Sequence, residues 1–482
     1  MAFIPIFVAF LLRFINLGYS DYQGDEIKAF FLPTTGQRAT EFLLDQRKGP
    51  VQFLITAFLK IFNPSYDNQL LMRLPFALAG TLAVYFFYKL VKIHFGKKIA
   101  FYSAFFIATN GFFIAFSRIV QYQSFVIFFA ILALYCFTLA ITKEKWIIRG
   151  IYLGFIFWSL SILSHYDGVF IAPFALFILS KWYKEINIEK KKKQTHFAGA
   201  ILSGGLLLAL FYIPFILSIS QATKDYWLGR LEGVGGKISS SRYLFSVYQP
   251  IYVLHIYTIL SILGIIKSLM FKKTNLLAVL LWFLLPFSFM ELLVEVPGTH
   301  IFNYLLPLTV IMGFGINFIE DFLKRFLGWF KTNALLIPGI FIIFVFLFLQ
   351  ASAIFLNHSR EYPWESKQFL LWEFPKPTPI FHLSMFGFPY FRHWEAIGEV
   401  VRTTENNGYY STNERSTISR YYIPLKKSSD DAGFFIIIKN PQSFTDQPVN
   451  ERVRLWIDSH APVLSFTDAN GRPVTEIYYL TQ

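Results

Sequence analysis

Two adjacent carboxylates, Asp25 and Glu26, follow Gly24 in a polar stretch just beyond an apolar run at residues 3–18. Carboxylates beside a bilayer are costly unless solvated or paired. One held within hydrogen-bond reach of a hydroxyl can serve as a general base. Asp-Glu pairs are also common in solvated loops, so this pair gains meaning only from its surroundings. Cations are close in sequence: Lys28, Arg38, Arg47 and Lys48 lie in the same stretch, and Lys224, Arg230, Lys237 and Arg242 in a later one. Arg118 stands at a turn between two apolar runs. Lys and Arg can stabilise charge that builds on a phosphate leaving group, and Arg can hold phosphate oxygens bidentately. The bland account of Arg118 is a snorkelling side chain at a span end.

Two histidines complete the polar set. His165-Tyr166-Asp167 and His300 each sit at a short connection between apolar runs. They could line a cavity, bind an acceptor or simply cap wet turns. Imidazoles and carboxylates together can hold a divalent ion, but no ligand spacing demands one. The sequence requires no cofactor and leaves a divalent metal possible and unassigned. The one cysteine, Cys136, rules out a disulfide framework or a Cys-type metal site within the chain.

The elements that must position these groups are membrane spans. The chain has 482 residues, 55% hydrophobic and only 15% charged, against about a quarter charged in soluble proteins. Apolar runs long enough to cross a bilayer recur at about residues 3–18, 70–91, 99–117, 124–142, 149–164, 167–183, 197–219, 246–269, 276–294, 301–319 and 334–356. That predicts a polytopic α-helical membrane protein with about eleven transmembrane helices. The first run lacks the basic flank and small-residue cleavage site of a signal peptide and reads as a retained span. Residues 50–62 are apolar but too short to span, and read as an interfacial helix.

Charge sets the orientation. Lys92, Lys97 and Lys98, then Lys143, Lys145 and Arg149, then Lys181, Lys184 and Lys190 to Lys193 close alternate connections. Lys267, Lys272 and Lys273 follow, then Lys324, Arg325 and Lys331. Positive connections face the cytoplasm. The N-terminus is therefore expected inside, most simply at the plasma membrane. The loop at residues 19–69, the turns at Arg118 and His165, residues 221–245, residues 295–300 and the C-terminal segment are expected outside. The net charge of +14 then reports topology and contact with the bilayer, not nucleic acid binding. Cations on the outer loops run against that bias, and an anionic ligand at the outer face would explain them.

Residues 1–356 thus form the membrane part. Residues 357–482 carry polar residues at soluble-protein frequency and predict a small extracytoplasmic α/β domain. Residues 390–402 read as a helix and residues 433–439 as a buried strand. Residues 463–467 and 474–480 flank Asp468-Ala469-Asn470-Gly471 as a hairpin.

The order of motifs carries a resemblance. LLRFINLGYSDYQGDE at residues 11–26 is followed by Lys48-Gly49-Pro50, then RLPFALAG at residues 73–80, HFGKK at residues 94–98, and Ser117-Arg118. This succession resembles the GT-C membrane glycosyltransferases of the protein O-mannosyltransferase and aminoarabinose transferase type, over roughly residues 10–180. The resemblance implies an acidic catalytic centre in the first outer loop. It matches Asp25 to the catalytic acid, Glu26 to its companion, and Lys28 to a basic residue near the donor phosphate. Lys48 resembles the residue of a Lys-Pro or His-Pro element, here interrupted by Gly49. Arg118 resembles the arginine that opens the outer end of a span. His300 lies in a segment like one before a late span, with Asn303 where relatives often have Arg. It further implies a polyprenyl-phosphate sugar as donor. A protein, glycolipid or glycan hydroxyl would be the acceptor, Asp25 the base, and Lys28, Lys48 and Arg118 the phosphate-binding set. His165, Tyr166 and His300 would line the acceptor side. One direct displacement would invert the anomeric centre. The alternatives are a transporter or flippase of lipid-linked saccharides, which should carry ionisable residues near the bilayer midplane, and a non-catalytic assembly protein.

Overall fold

The computed structural model describes residues 3–232, 247–271, 274–377, 385–442, 449 and 451–480. Lys237, Arg242, Lys272 and Lys273 lie outside them. Six helices among the described residues are long and apolar enough to cross a membrane by length and composition: Gln69–Thr109, Gln123–Thr142, Glu144–Ser164, Lys190–Ser218, Thr274–Leu293 and Gly298–Phe355. Two are doubled. At Gly96 (φ 86°) and Gly328 (φ 73°) the backbone enters the left-handed region and a second helix follows. A side chain with a Cβ is strained there, and glycine is not. The runs expected at 70–91 and 99–117, and at 301–319 and 334–356, are thus helix pairs hinged on a glycine. Phe3–Phe14 and His255–Phe271 are shorter apolar helices. Residues 50–62 contain the short helix Val51–Leu59.

The basic connections gather at one end of the bundle. Lys98, just past the Gly96 turn, reaches Glu320 at 2.6 Å, and Lys324 meets the same carboxylate at 2.7 Å. Lys267 pairs with Asp321 at 2.7 Å. Helix Gln69–Thr109 starts at the opposite end, where the Asn68 side chain accepts from the Leu71 amide at 3.0 Å. The first loop, the Arg118 turn and the His165 and His300 turns all meet at that second end. Phenylalanine fills much of the space between, for example Phe105 stacked on Phe344 at 3.9 Å. Along Lys190–Ser218 the leucines face outward, with Leu210 at 77% and Leu217 at 82% exposure. Such a surface suits acyl chains and not water.

The C-terminal region forms a five-stranded mixed sheet. A separate antiparallel pair, β1 (Lys367–Phe369) and β2 (Trp372–Phe374), precedes it, and its own strands are β3 (Tyr409–Thr412), β4 (Lys426–Lys427), β5 (Phe434–Ile438), β6 (Leu464–Thr467) and β7 (Pro473–Tyr479), in the order β4-β3-β5-β7-β6. β3 is parallel to β4 and β5, and β7 is antiparallel to β5 and β6. Strand alternation sends Phe434, Ile436 and Ile438 to one face and Phe435 and Ile437 to the other. The buried strand and the hairpin expected from sequence are β5 and the β6–β7 pair. The helix expected at 390–402 is Trp394–Thr403.

The first face of the sheet does not close on itself. Its helices Trp394–Thr403 and Ser416–Tyr422 share a hydrophobic cluster with Tyr22, Ile27 and Phe30 of the first loop and with Phe76 and Val120 of the bundle. Backbone bonds tie the two parts together. The Asp21 amide donates to Tyr390 O at 3.0 Å, the Tyr22 amide to the Tyr422 hydroxyl at 3.0 Å, and the Gly24 amide to Gln442 Oε1 at 3.1 Å. Residues 362–374 also bury Tyr362, Trp364, Phe369 and Phe374 in the main cluster of the bundle.

Candidate active site

Gly24–Ile27 is a single helical turn, and it points its two carboxylates in different directions. Glu26 is fully buried. Arg73 Nε donates to Glu26 Oε1 and Arg73 Nη2 to Oε2, each at 2.8 Å. The Val120 amide also donates to Oε1 and the Gln23 amide to Oε2, each at 3.0 Å. Arg73 spends its remaining donors on the carbonyls of Leu17, Ser20 and Asp21. One buried ion pair therefore fastens the first loop, the second span and the turn after Ser117.

Asp25 turns the other way. Its side chain is 41% exposed, and Oδ1 lies 3.7 Å from Lys28 Nζ. Gln121 bridges this residue to the next cation: its Nε2 donates to Asp25 O at 2.7 Å, and its Oε1 accepts from Lys48 Nζ at 3.2 Å. Lys48 also lies over the Tyr122 ring at 4.9 Å. Burial in the cavity wall pulls the Lys48 ammonium below the ordinary lysine range, with Asp25 opposing and Lys28 adding to the shift. Gly49 explains how Lys48 comes so close. A Cβ there would sit 1.8 Å from Leu163 O, so only glycine lets the first loop rest on the end of helix Ile147–Ser164.

The polar cavity holds about 760 Å³, and its walls include Asp25, Lys28, Arg47, Lys48, His165 and His300. Tyr166, Gln121, Tyr122 and Arg230 line it as well. Arg47 stacks on Tyr226 at 4.3 Å, and Arg230 donates to the Tyr226 hydroxyl at 3.0 Å. A second cavity of about 530 Å³ shares Arg47, Lys48, Tyr166, Arg230 and His300 with the first. Its other walls are mainly apolar, among them Phe170, Phe215, Ile216, Phe289, Met290 and Trp227.

Asp167 stands between the two histidines at the seam. Its Oδ2 lies 2.6 Å from His300 Nδ1, and its Oδ1 lies 3.2 Å from His165 Nδ1. His165 is stacked on Tyr122 at 4.2 Å, and burial pushes it down to about 4, so it is neutral at physiological pH. Burial alone would raise the Asp167 carboxyl, but His300 beside it holds it below the usual carboxylate range.

Of the residues singled out from sequence, Asp25, Lys28, Lys48, His165, Tyr166 and His300 line one cavity. Glu26 and Arg118 do not line it. The Arg118 guanidinium donates to Leu12 O, Ile15 O and Asn16 O, closing the end of the first helix. Sequence reasoning gave no role to Arg73 or Gln121, and reached Asp167 only as part of the polar turn at residues 165–167. An arginine inside an apolar run calls for a buried partner, and that signal marks Arg73. Gln121 carries no comparable mark.

Residues 48–217 match the family model described as dolichyl-phosphate-mannose-protein mannosyltransferase. No curated protein sequence matches the chain. Among solved structures, ArnT from Cupriavidus metallidurans is similar in its apo state, with TM-score 0.52 and 9% identity, covering 99% of this chain and 96% of that one. The same protein bound to undecaprenyl phosphate gives TM-score 0.51. The oligosaccharyltransferase AglB from Archaeoglobus fulgidus, in complex with an inhibitory peptide and a dolichol-phosphate, gives TM-score 0.53 and 11% identity, covering 91% of this chain and 69% of that one. At such identities the solved structures speak for the fold, which is GT-C. With its six apolar candidate spans among the described residues, the chain is an integral membrane protein of GT-C fold.

Proposed function

We propose that the chain transfers a sugar from a polyprenyl-phosphate donor to an acceptor hydroxyl, with inversion at the anomeric carbon. One observation carries the reading. A polar cavity lined by Asp25 and four cations adjoins an apolar cavity, and Arg47, Lys48, Tyr166, Arg230 and His300 line both. A ligand suited to both spaces has an anionic, sugar-bearing head and a hydrocarbon tail. The ligands named with ArnT and AglB, undecaprenyl phosphate and dolichol-phosphate, have that form.

In this reading the head phosphate meets Lys28 and Lys48, with Arg47 and Arg230 at the seam. Asp25 takes the proton of the acceptor hydroxyl, whose oxygen attacks the anomeric carbon from the face opposite the phosphate. The bond from that carbon to the phosphate oxygen breaks, and polyprenyl phosphate leaves with the bonding pair. The cations balance the charge that grows on the phosphate. Glu26 holds the turn that aims Asp25, and Arg118 anchors the first helix, so neither touches substrate. The cavity opens outside the cytoplasm and the N-terminus lies within it, because the basic connections gather at the far end of the bundle. The acceptor is a protein, glycolipid or glycan hydroxyl on that outer side. Charged groups at a bundle end, and not along a midplane path, favour transfer over transport.

Transfer of labelled sugar from a polyprenyl-phosphate donor, measured in membranes with wild type and Asp25→Asn, tests the proposal. Loss in the variant and an inverted product anomer are expected. Full transfer by Asp25→Asn, or a retained anomer, overturns it.

A further inference from the structure

We propose that His165, Asp167 and His300 form a binding site for one divalent transition-metal ion at the seam of the two cavities. Each residue offers one ligand atom, and the three atoms lie within 4.8 Å of one another. They come from two connections far apart in sequence, so their convergence is a product of the fold and not of local spacing. Two imidazoles and a carboxylate make a nitrogen and oxygen set suited to Zn²⁺, and also to Mn²⁺ or Fe²⁺.

The second observation is a buried carboxylate oxygen without a donor, although its twin meets His300 Nδ1 at 2.6 Å. Asp167 is 1% exposed, and its Oδ1 is buried without a hydrogen-bond donor. The nearest group is His165 Nδ1 at 3.2 Å, but that nitrogen already accepts from the Asp167 amide at 3.3 Å. A nitrogen that accepts presents a lone pair, so Oδ1 and Nδ1 face each other as two acceptors. That contact is repulsive by itself; a cation between the two atoms would take the Nδ1 lone pair in place of the amide proton and relieve it. Buried charges are ordinarily paired or bound to metal. The turn is also held rigidly: Trp158 Nε1 donates to Gly168 O at 2.8 Å, and a Cβ at Gly168 would lie 2.6 Å from Ser161 Oγ.

Three protein ligands leave a coordination position for water or substrate, the pattern of reactive and not purely structural zinc sites. His165 and His300 both line the polar cavity, so that position faces the space assigned to the sugar and acceptor. Lys48 lies on the same wall. The ion and Lys48 would therefore share the attraction for an anionic head, and neither replaces the other.

Full-length protein in detergent, stripped with a chelator and equilibrated with Zn²⁺ or Mn²⁺, is assayed for bound metal by mass spectrometry. One ion per chain is expected for the wild type, with affinity at least tenfold lower in Asp167→Asn and in His300→Gln. Asp25→Asn is expected to keep its metal. Zinc-edge X-ray absorption of the wild type should show two imidazole ligands, which decides the matter even if a variant fails to fold. Absence of stoichiometric metal, equal binding by Asp167→Asn, or a spectrum without imidazole scattering overturns the site. Metal binding is read without turnover, so its failure and the failure of the transfer reading are separate results.

Discussion

Changing Glu26 and Asp25 one at a time should give opposite outcomes, although they are neighbours in the chain. Glu26→Gln keeps the shape of the side chain and removes its charge. Each carboxylate oxygen of Glu26 accepts from one nitrogen of Arg73 and one backbone amide. Whichever oxygen becomes the amide nitrogen, two buried donors lose their acceptor, and Arg73 loses its counter-charge. Breaking a buried ion pair by removing one partner costs about 3–5 kcal/mol. Asp25→Asn instead removes a half-exposed charge whose pairing with Lys28, at 3.7 Å, is worth at most about 1 kcal/mol. A positioned base contributes roughly 10²- to 10⁴-fold to a rate. Thermal or denaturant unfolding in micelles, beside the transfer assay, separates the two. Glu26→Gln should unfold far more readily, while Asp25→Asn should keep wild-type stability and lose roughly 10²-fold or more of its rate. A Glu26→Gln protein of wild-type stability with no activity would place Glu26 in the chemistry and refute the assignment.

Two further outcomes concern Lys48 and its neighbour. The lowered Lys48 pKa means that its charge is lost at a lower pH than for a free lysine, so kcat/KM should fall on the alkaline side as pH rises through that value. Over the interval from there to the ordinary lysine value, the unfolded chain holds the extra proton. The contribution of Lys48 to folding stability therefore rises with pH while its service to the donor falls; Lys48→Met should abolish the alkaline limb, and a limb unchanged in Lys48→Met would assign it elsewhere. Gly49→Ala must relieve a 1.8 Å contact with Leu163 O, and overpacking of this kind costs about 1–3 kcal/mol. Lower stability and a raised KM for donor are expected by unfolding and steady-state assays, and wild-type values in both would contradict the close approach.

The apolar helices, strands β5, β6 and β7 of the C-terminal sheet and the acid pair at Asp25 and Glu26 were legible in the sequence, because each rests on local pattern. Apolar length marks a span, alternation marks β5, and an acid pair beside a bilayer stands out. The division of labour between Asp25 and Glu26 was not legible. It depends on which way one helical turn faces, and that is fixed by Arg73 and Val120, far along the chain. Arg118 shows the same limit. Its position at a span end suited phosphate binding, but three carbonyls at the end of the first helix occupy its donors. Asp167 was visible only as part of a polar turn. Its importance comes from His300, brought beside it by the packing of separate helices.

The bonds from Asp21, Tyr22 and Gly24 to Tyr390, Tyr422 and Gln442 mean that the sheet and the acidic turn were shaped together. A lineage that exchanged its C-terminal portion for an unrelated one would strip three contacts from the segment carrying Asp25. New ligand preferences are therefore easier to reach by altering cavity walls than by trading the tail of the protein. The two halves of the chain should accordingly change in step.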